Sequence, residues 1–348
     1  MMSDTSFEEG SGVSTPSFAS STVDTSSSTT LSEEKVDPGR LTMEMVGPAL
    51  SELSRTGNGL AHAYIRLELY RKDLTDISVL SDMVHVRFLD LSGNRLTDLS
   101  PLNSMNHLLW LKADRNPLTK INMDERLFLQ VASFAYNQIN TLEGLSHPQL
   151  RILNVTGNRL QRISGLDPSK LRALTTLELR GNGLESTEGL CLPSLRELYL
   201  AANKLEKIEG LRKMPNLKLL HLRDNVISSL TGFTSGMKTL QYLNLRGNQI
   251  MTVKEVDKLH HLHSLRTLSL AGNPLAEEEA EHYVLDALSY VPSLIRVDKH
   301  PVSEEDRSEA EALAELRRRE LSSSDSLAHL PHEQMFSSAS SEFSSDMI

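Results

Sequence analysis

The sequence predicts an α/β repeat solenoid: a right-handed curved array of about ten coils with a parallel sheet on its concave side, a helical N-terminal cap and a C-terminal cap. Three observations predict it. Asparagine recurs as Asn94, Asn116, Asn137, Asn158, Asn182, Asn203, Asn225, Asn248 and Asn273, with neighbours 21 to 25 residues apart. The residues eight, five and three before each are nearly always aliphatic, as in Leu195, Leu198 and Leu200 before Asn203. Two residues after each asparagine comes another aliphatic side chain, such as Leu96, Leu118, Ile139, Leu160, Leu205 or Ile227. So many matched columns do not arise by chance.

The pattern L-x-x-L-x-L-x-x-N-x-L is that of the leucine-rich repeat. Its L-x-L segment is a short strand, whose side chains alternate between two faces. The two leucines point into the coil and the residues between them point out. The asparagine marks the inward turn, where its amide satisfies backbone groups that are costly to bury unpaired. One coil cannot cover its own leucines, so neighbouring coils must do it. With strands ~4.8 Å apart, ten coils span roughly 45–50 Å. Repeats near 22 residues leave room on the convex side for short turns or one-turn helices. An earlier copy ends at Lys72, with Leu67, Leu69, Leu74 and Ile77 in register but no asparagine.

The ends follow in order. Residues 1–40 form a Ser/Thr-rich leader expected to be disordered. Residues 41–63 are the N-terminal cap, with Leu41, Met45, Leu50 and Leu53 spaced as a loose amphipathic helix that Gly47-Pro48 interrupts. "TGNGLAHAY" (56–64) then turns into the first strand, and the repeats occupy 64–276. Residues 277–300 close the array as a helix and a strand-like segment, with Tyr283, Leu285, Leu288, Val291, Leu294 and Val297 covering the last coil. Residues 301–320 read as a charged helix from Ser303, acidic at Glu304, Glu305 and Asp306 and basic at Arg317, Arg318 and Arg319, an order that suits the helix dipole. Residues 321–348 are a Ser-rich tail, also expected to be disordered.

Composition narrows the function. Apolar residues make up 39% of the 348, below an ordinary globular fraction, which fits unfolded ends. Residues 1–32 carry no secretory apolar core, and no run of about 18 apolar residues predicts a membrane span. Cys191 is the only cysteine, so intramolecular disulfides are impossible and a reducing, intracellular setting is expected. The net charge of −10 is uneven: −5 over residues 1–40, +6 over 41–275 and −11 over 276–348. A mildly basic body between acidic ends argues against tight, nonspecific nucleic-acid binding.

The outward positions carry the candidate site. The column six residues before each asparagine reads Arg66, Phe88, Trp110, Val131, Ile152, Thr176, Glu197, Leu219, Tyr242 and Thr267. Four successive coils thus present Phe88, Trp110, Val131 and Ile152, where the fold requires no large apolar group. Such a stripe is a contact surface or a case of cross-strand packing. Arg180, Arg223 and Arg246 form a basic column two residues before their asparagines, with Tyr199 and His221 beside it. That column is either a dock for an acidic segment, the chain's own tail included, or a solvated surface.

Catalytic signatures are missing. There is no phosphate loop and no G-x-S-x-G elbow; "GNG" at 57–59 and 181–183 is turn chemistry. "HHLH" (260–263) lacks a nearby cysteine or paired carboxylate, so no metal site is expected there. Cys191 has no evident activating base and reads as a structural thiol. The expectation is a protein without catalytic residues, cofactor, metal, membrane contact or small-molecule substrate, binding other proteins through its concave face.

The repeats are similar to the intracellular leucine-rich repeat class typified by a phosphatase-regulating scaffold and a small splicing factor. "TGNGLAHAY" (56–64), "LTDLSPLN" (96–103), "HLLWLKAD" (107–114), "LQVASFAYNQI" (129–139), "ELRGNGLESTEGL" (178–190), "LHLRDN" (220–225) and "MKTLQYLNLRGN" (237–248) resemble a narrower family of radial-spoke components. The likeness spans roughly residues 41–320. It includes His62, Trp110, Phe134 and Tyr136, which the generic repeat leaves free. That resemblance implies a non-catalytic scaffold in the head of the third radial spoke, in the axoneme of motile cilia and sperm flagella, with other spoke head proteins as partners. The leader here is Ser/Thr-rich where vertebrate members of that family are densely acidic. Two other readings stay open: a regulatory subunit of a protein phosphatase, which would bring phosphatase down in a pull-down, and an RNA–protein assembly factor, which would be nuclear.

Overall fold

The computed structural model describes residues 37–328, except 58 and 279–281. The leader through residue 36 and the tail beyond 328 lie outside the described residues, and so do the expectations placed on them. One compact unit beginning at Pro38 holds the repeats. It contains α1 (Met43–Ala49), β1 (Leu50–Arg55), β2 (His62–Glu68), β3 (Phe88–Asp90), β4 (Trp110–Lys112), β5 (Val131–Ser133) and β6 (Ile152–Asn154). There follow β7 (Thr176–Glu178), β8 (Glu197–Tyr199), β9 (Leu219–His221), β10 (Tyr242–Asn244) and β11 (Thr267–Ser269). α2 (Pro274–Glu278), α3 (Tyr283–Tyr290), β12 (Arg296–Val297), β13 (His300–Pro301) and α4 (Glu304–Ala328) close the chain. The strands form one sheet in sequence order, with β2 to β12 parallel. Ten of them, β2 to β11, are the repeat strands of a solenoid of about nine turns.

Strands of three residues cannot hold themselves together. The leucines between the coils do it: Leu67, Leu89, Leu111, Leu153, Leu177, Leu198, Leu220, Leu243 and Leu268 all have 0% exposure. Each such side chain contributes about 1.5–3 kcal/mol by leaving water. The polar half of the job falls to asparagine. Asn225 Nδ2 donates to Leu222 O of its own coil (2.9 Å) and Leu200 O of the coil before (3.0 Å). Its Oδ1 accepts from Leu205 N (3.1 Å). The same three-way bonding recurs at Asn116, Asn137, Asn158, Asn182, Asn203, Asn248 and Asn273. Each asparagine therefore ties its coil to the preceding one.

The residue just before each asparagine takes a left-handed conformation. Glycine occupies five of these positions, while Arg115 (φ 55°), Tyr136 (φ 56°), Ala202 (φ 55°) and Asp224 (φ 54°) are among those that adopt it with a side chain. At Gly157 the glycine is required twice over. Its φ is 68°, and a Cβ there would stand 2.6 Å from the ring of Tyr136 on the neighbouring coil.

The N-terminal cap departs from expectation. Its helix ends at Ala49, and Leu50 and Leu53 lie in β1, which pairs antiparallel with β2 (Leu50 with Leu67, Leu53 with Tyr64). The first repeat strand would otherwise present a row of unpaired backbone groups. A strand satisfies them; a continued helix would not. The turn from Thr56 to Ala61 closes this hairpin through Thr56 N–H donating to Ala61 O (2.8 Å).

At the other end, Tyr283 donates from its hydroxyl to Asp298 (2.8 Å), and Asp298 also accepts from Leu270 N (2.8 Å) and Ala271 N (2.9 Å). Asp298, at φ 52°, thus offers the Leu270 N–H the acceptor that a backbone carbonyl of the next strand supplies in inner coils, as Ser269 O does for Leu245 N–H (2.8 Å). α4 starts with a reciprocal cap: Asp306 N–H donates to Ser303 Oγ (3.1 Å) and Ser303 N–H to Asp306 Oδ2 (2.7 Å). It docks through Ala310, and Arg317 pairs with Asp286 and lies over the Tyr290 ring. The charged helix expected to stop at residue 320 runs on to Ala328, so Arg317, Arg318 and Arg319 sit inside it. Helix propagation adds a hydrogen bond per residue, and serines do not stop it as Gly or Pro would.

The convex side carries 3₁₀ turns at Ser78–Asp82, Ser100–Ser104, Leu211–Lys213 and Val253–Leu259. The coil ending at Asn137 carries a buried polar plug on this side. Arg126 is 2% exposed, donating to Asn103 O (3.1 Å), Asn103 Oδ1 (2.7 Å) and Asn106 Oδ1 (2.9 Å). His147 accepts the Arg126 backbone N–H at Nδ1 (3.1 Å). Burial first, then the Arg126 charge, hold His147 down at about 4.

Two outcomes follow. Asn225→Leu strands carbonyls and an N–H between coils, and should lower unfolding free energy by at least about 2 kcal/mol in urea titrations. His147 folds neutral, so unfolding takes up a proton once pH drops below its unfolded value. Stability is full above about pH 6.5 and should fall by roughly 3 kcal/mol by pH 4. His147→Asn keeps an acceptor, and its titrations between pH 7 and 4 should lose that histidine-dependent part of the slope.

Candidate functional site

The register of the parallel sheet builds the candidate site. Arg66 pairs with Phe88, Phe88 with Trp110, Trp110 with Val131 and Val131 with Ile152, continuing through Thr176, Glu197, Leu219, Tyr242 and Thr267. These residues flank the buried leucines and therefore face away from the core. Phe88, Trp110 and Val131 are half-buried and Ile152 is 37% exposed. Leu111, next to Trp110, has no exposure at all. Cross-strand neighbours cover part of each outward side chain, and the remainder is open. The Arg66 guanidinium lies 4.8 Å from the Phe88 ring centroid and pairs with Glu52, which ends the apolar stripe on the N-terminal side.

The second group predicted from sequence also comes together. Arg180 stands 4.4 Å from the Tyr199 ring centroid, Tyr199 is 6.2 Å from His221, and His221 is 6.5 Å from Tyr242. The Asn244 side-chain amide lies 3.2 Å from His221 Nε2 and donates to the Tyr242 hydroxyl (3.3 Å). Burial, followed by the charges of Arg180 and Arg223, lowers the His221 pKa and favours the neutral ring. Its Nδ1 is buried without a hydrogen-bond partner among the described residues. Burial and Glu197 raise the Tyr199 pKa, and its hydroxyl donates to Glu197 (3.4 Å). Arg223 and Arg246 are exposed beside this ladder, Arg223 paired with Asp224 at 2.9 Å.

The ten residues therefore divide into an apolar stripe on β3 to β6 and an aromatic–basic cluster, with Tyr199, His221 and Tyr242 on β8 to β10 and Arg180, Arg223 and Arg246 just after β7, β9 and β10. The sequence does not disclose that Lys299 and His300 of the C-terminal cap join Arg223 and Arg246 around one hollow. Only the "VDKH" after the closing strand hints at it. Nor does it disclose the Arg126–His147 plug, whose coil lacks a 3₁₀ turn. Among the described residues no three His, Cys, Asp or Glu side chains are grouped as a metal site. His260 and His261 meet edge to face with centroids 5.3 Å apart, and Cys191 is a half-buried free thiol. Among the described residues no helix is long and apolar enough to cross a membrane.

Coils of this register, each with its inward leucines and its asparagine, define a leucine-rich repeat scaffold for protein–protein interaction. Profiles of that family agree: "Leucine rich repeat" matches residues 193–250, 215–275 and 85–106, and "Leucine Rich repeats (2 copies)" matches 172–213. The functional domain of InlJ from Listeria monocytogenes has a similar fold, with TM-score 0.52 and 20% identity over 68% of this chain and 53% of that one. At the level of whole chains, leucine-rich repeat-containing protein 23 of Homo sapiens is 52% identical over 79% of this chain and 80% of its own length. The Xenopus tropicalis protein of the same name is 50% identical over 81% and 80%. This chain belongs to the leucine-rich repeat-containing protein 23 family.

Trp110 and Leu111 are adjacent but face opposite sides. Leu111→Ala should cost about 2–5 kcal/mol through a core cavity. Trp110→Ala should cost only about 1 kcal/mol, measured by thermal and urea unfolding of the two variants side by side. Equal losses would make the indole a packing residue.

Proposed function

We propose that this protein is a non-catalytic scaffold of the axoneme in motile cilia and sperm flagella, in the head of the third radial spoke. In this reading the concave face holds another spoke head protein and so supports ciliary and flagellar beating. What supports it is the resemblance of the outward and turn residues, beyond the repeat consensus, to a family of radial-spoke components. The single structural observation that carries the scaffold role is the stripe of Phe88, Trp110, Val131 and Ile152. Register aligns these apolar groups on four adjacent strands away from the core, a placement that coil stacking alone does not call for. Aromatic anchors of this kind dominate binding energy where partners meet. Attachment to the cytoskeleton through protein contacts suits a chain with an exposed apolar ladder and acidic ends.

A tagged copy expressed in multiciliated cells should run along motile axonemes and stay with them after detergent removes the membrane. The variant Trp110→Ala with Ile152→Glu, folded by circular dichroism, should be lost from the axonemal fraction. A wild-type protein that is freely extractable, or that accumulates in cells without cilia, would sink this reading.

A further inference from the structure

At the C-terminal end of the sheet, Arg223 and Arg246 share a concavity of about 330 Å³ with Tyr283, Asp298, Lys299 and His300. Arg223 and Arg246 occupy the same position of successive coils, and the Asp224 N–H donates to Arg246 O between them. Their backbones are thus about 4.8 Å apart. Two like charges at that spacing repel, and a bound anion relieves the repulsion. Arg223 has Asp224 for a partner, but Arg246 and Lys299 make no ion pair among the described residues, and all three cations are exposed. The carboxylate lining the hollow, Asp298, is already engaged by Leu270 N, Ala271 N and the Tyr283 hydroxyl. Two backbone donors and one hydroxyl hold that carboxylate in place, and Arg246 and Lys299 are left without an ion-pair partner among the described residues.

We propose that this hollow is a second docking site, distinct from the apolar stripe, for an extended acidic segment of a partner protein. The layout favours a run of carboxylates over one phosphate. A single phosphate wants donors converging on one point. Here Arg223 and Arg246 come from successive coils and Lys299 from the cap, and an extended peptide, whose alternate side chains lie about 6.6–6.8 Å apart, offers separate carboxylates to separate cations. Arginine also binds carboxylates by paired parallel hydrogen bonds, and Arg246 is exposed and makes no ion pair among the described residues. Tyr199, His221 and Tyr242 lie just beyond, giving the peptide an aromatic surface on the side away from the cap. The inference rests on the scaffold reading above only in taking the concave face as the binding face.

The test uses the full-length protein and a fluorescein-labelled heptapeptide of alternating glutamate and alanine, read by fluorescence anisotropy. Saturable binding is expected, weakening as salt rises, with Arg246→Glu and Lys299→Glu each at least about tenfold weaker. Both variants should melt as wild type does, since neither side chain holds the fold. Trp110→Ala should bind the heptapeptide normally, so failure of the stripe and failure of the hollow are told apart. Equal binding by wild type and Arg246→Glu would overturn the proposal, as would equal binding of a lysine–alanine heptapeptide. Tighter binding of a peptide bearing a single phosphoserine would make this a phosphate site instead. If Glu333→Gln, Glu342→Gln and Asp346→Asn together strengthen binding by about tenfold or more, the chain's own tail is the occupant and the partner is not.

Discussion

Everything in this structure depends on the bond that one asparagine side chain makes between two coils. A three-residue strand exposes more backbone than it can satisfy, and the inward turn after it buries that backbone. The amide of Asn225, or of its counterparts, donates two hydrogen bonds and accepts one across the gap. Because the partners belong to different coils, the bonds fix the register along with the turn. Leucine burial supplies the drive toward collapse, but it is non-directional. The asparagine ladder decides that coils stack in one alignment.

That alignment is what makes a site possible. Once Arg66, Phe88, Trp110, Val131 and Ile152 are held in one row, residues more than twenty positions apart become neighbours. The outward positions carry little of the folding load, so their chemistry is free to differ from coil to coil. The first half of the sheet uses this freedom for apolar groups and the second half for aromatic and basic ones. Both groups sit on a rigid frame, which lowers the ordering cost of binding.

The ends show the same constraint from the other side. A sheet of stacked coils has two open edges, and each is closed with hydrogen bonds where the helical caps alone would leave backbone groups bare. β1 closes one by antiparallel pairing, and β13 with Asp298 closes the other. Asp298 substitutes for a strand carbonyl: its carboxylate accepts the Leu270 N–H, which in inner coils donates to the backbone of the next strand. Placing Lys299 and His300 next to Arg246 is a by-product of that closure.

The sequence by itself determined the repeat, the inward leucines and the outward columns, because a fixed period leaves a fixed mark on composition. It also determined that Phe88, Trp110, Val131, Ile152, Tyr199, His221 and Tyr242 face out, since alternation along a strand is a local rule. The tertiary structure alone decided features that depend on contacts without a period. Leu50 and Leu53 look helical by spacing, yet the bare edge of β2 draws them into a strand. Arg126 looks like any surface arginine, yet carbonyl and amide oxygens of the preceding coil hold it buried beside a neutral His147. Lys299 and His300 are two residues of a cap until folding brings a coil some fifty positions earlier against them. Periodic interactions are written once per repeat and can be read from the chain; a meeting of unrelated segments is written nowhere along it, because only the packed solenoid fixes the distance between them.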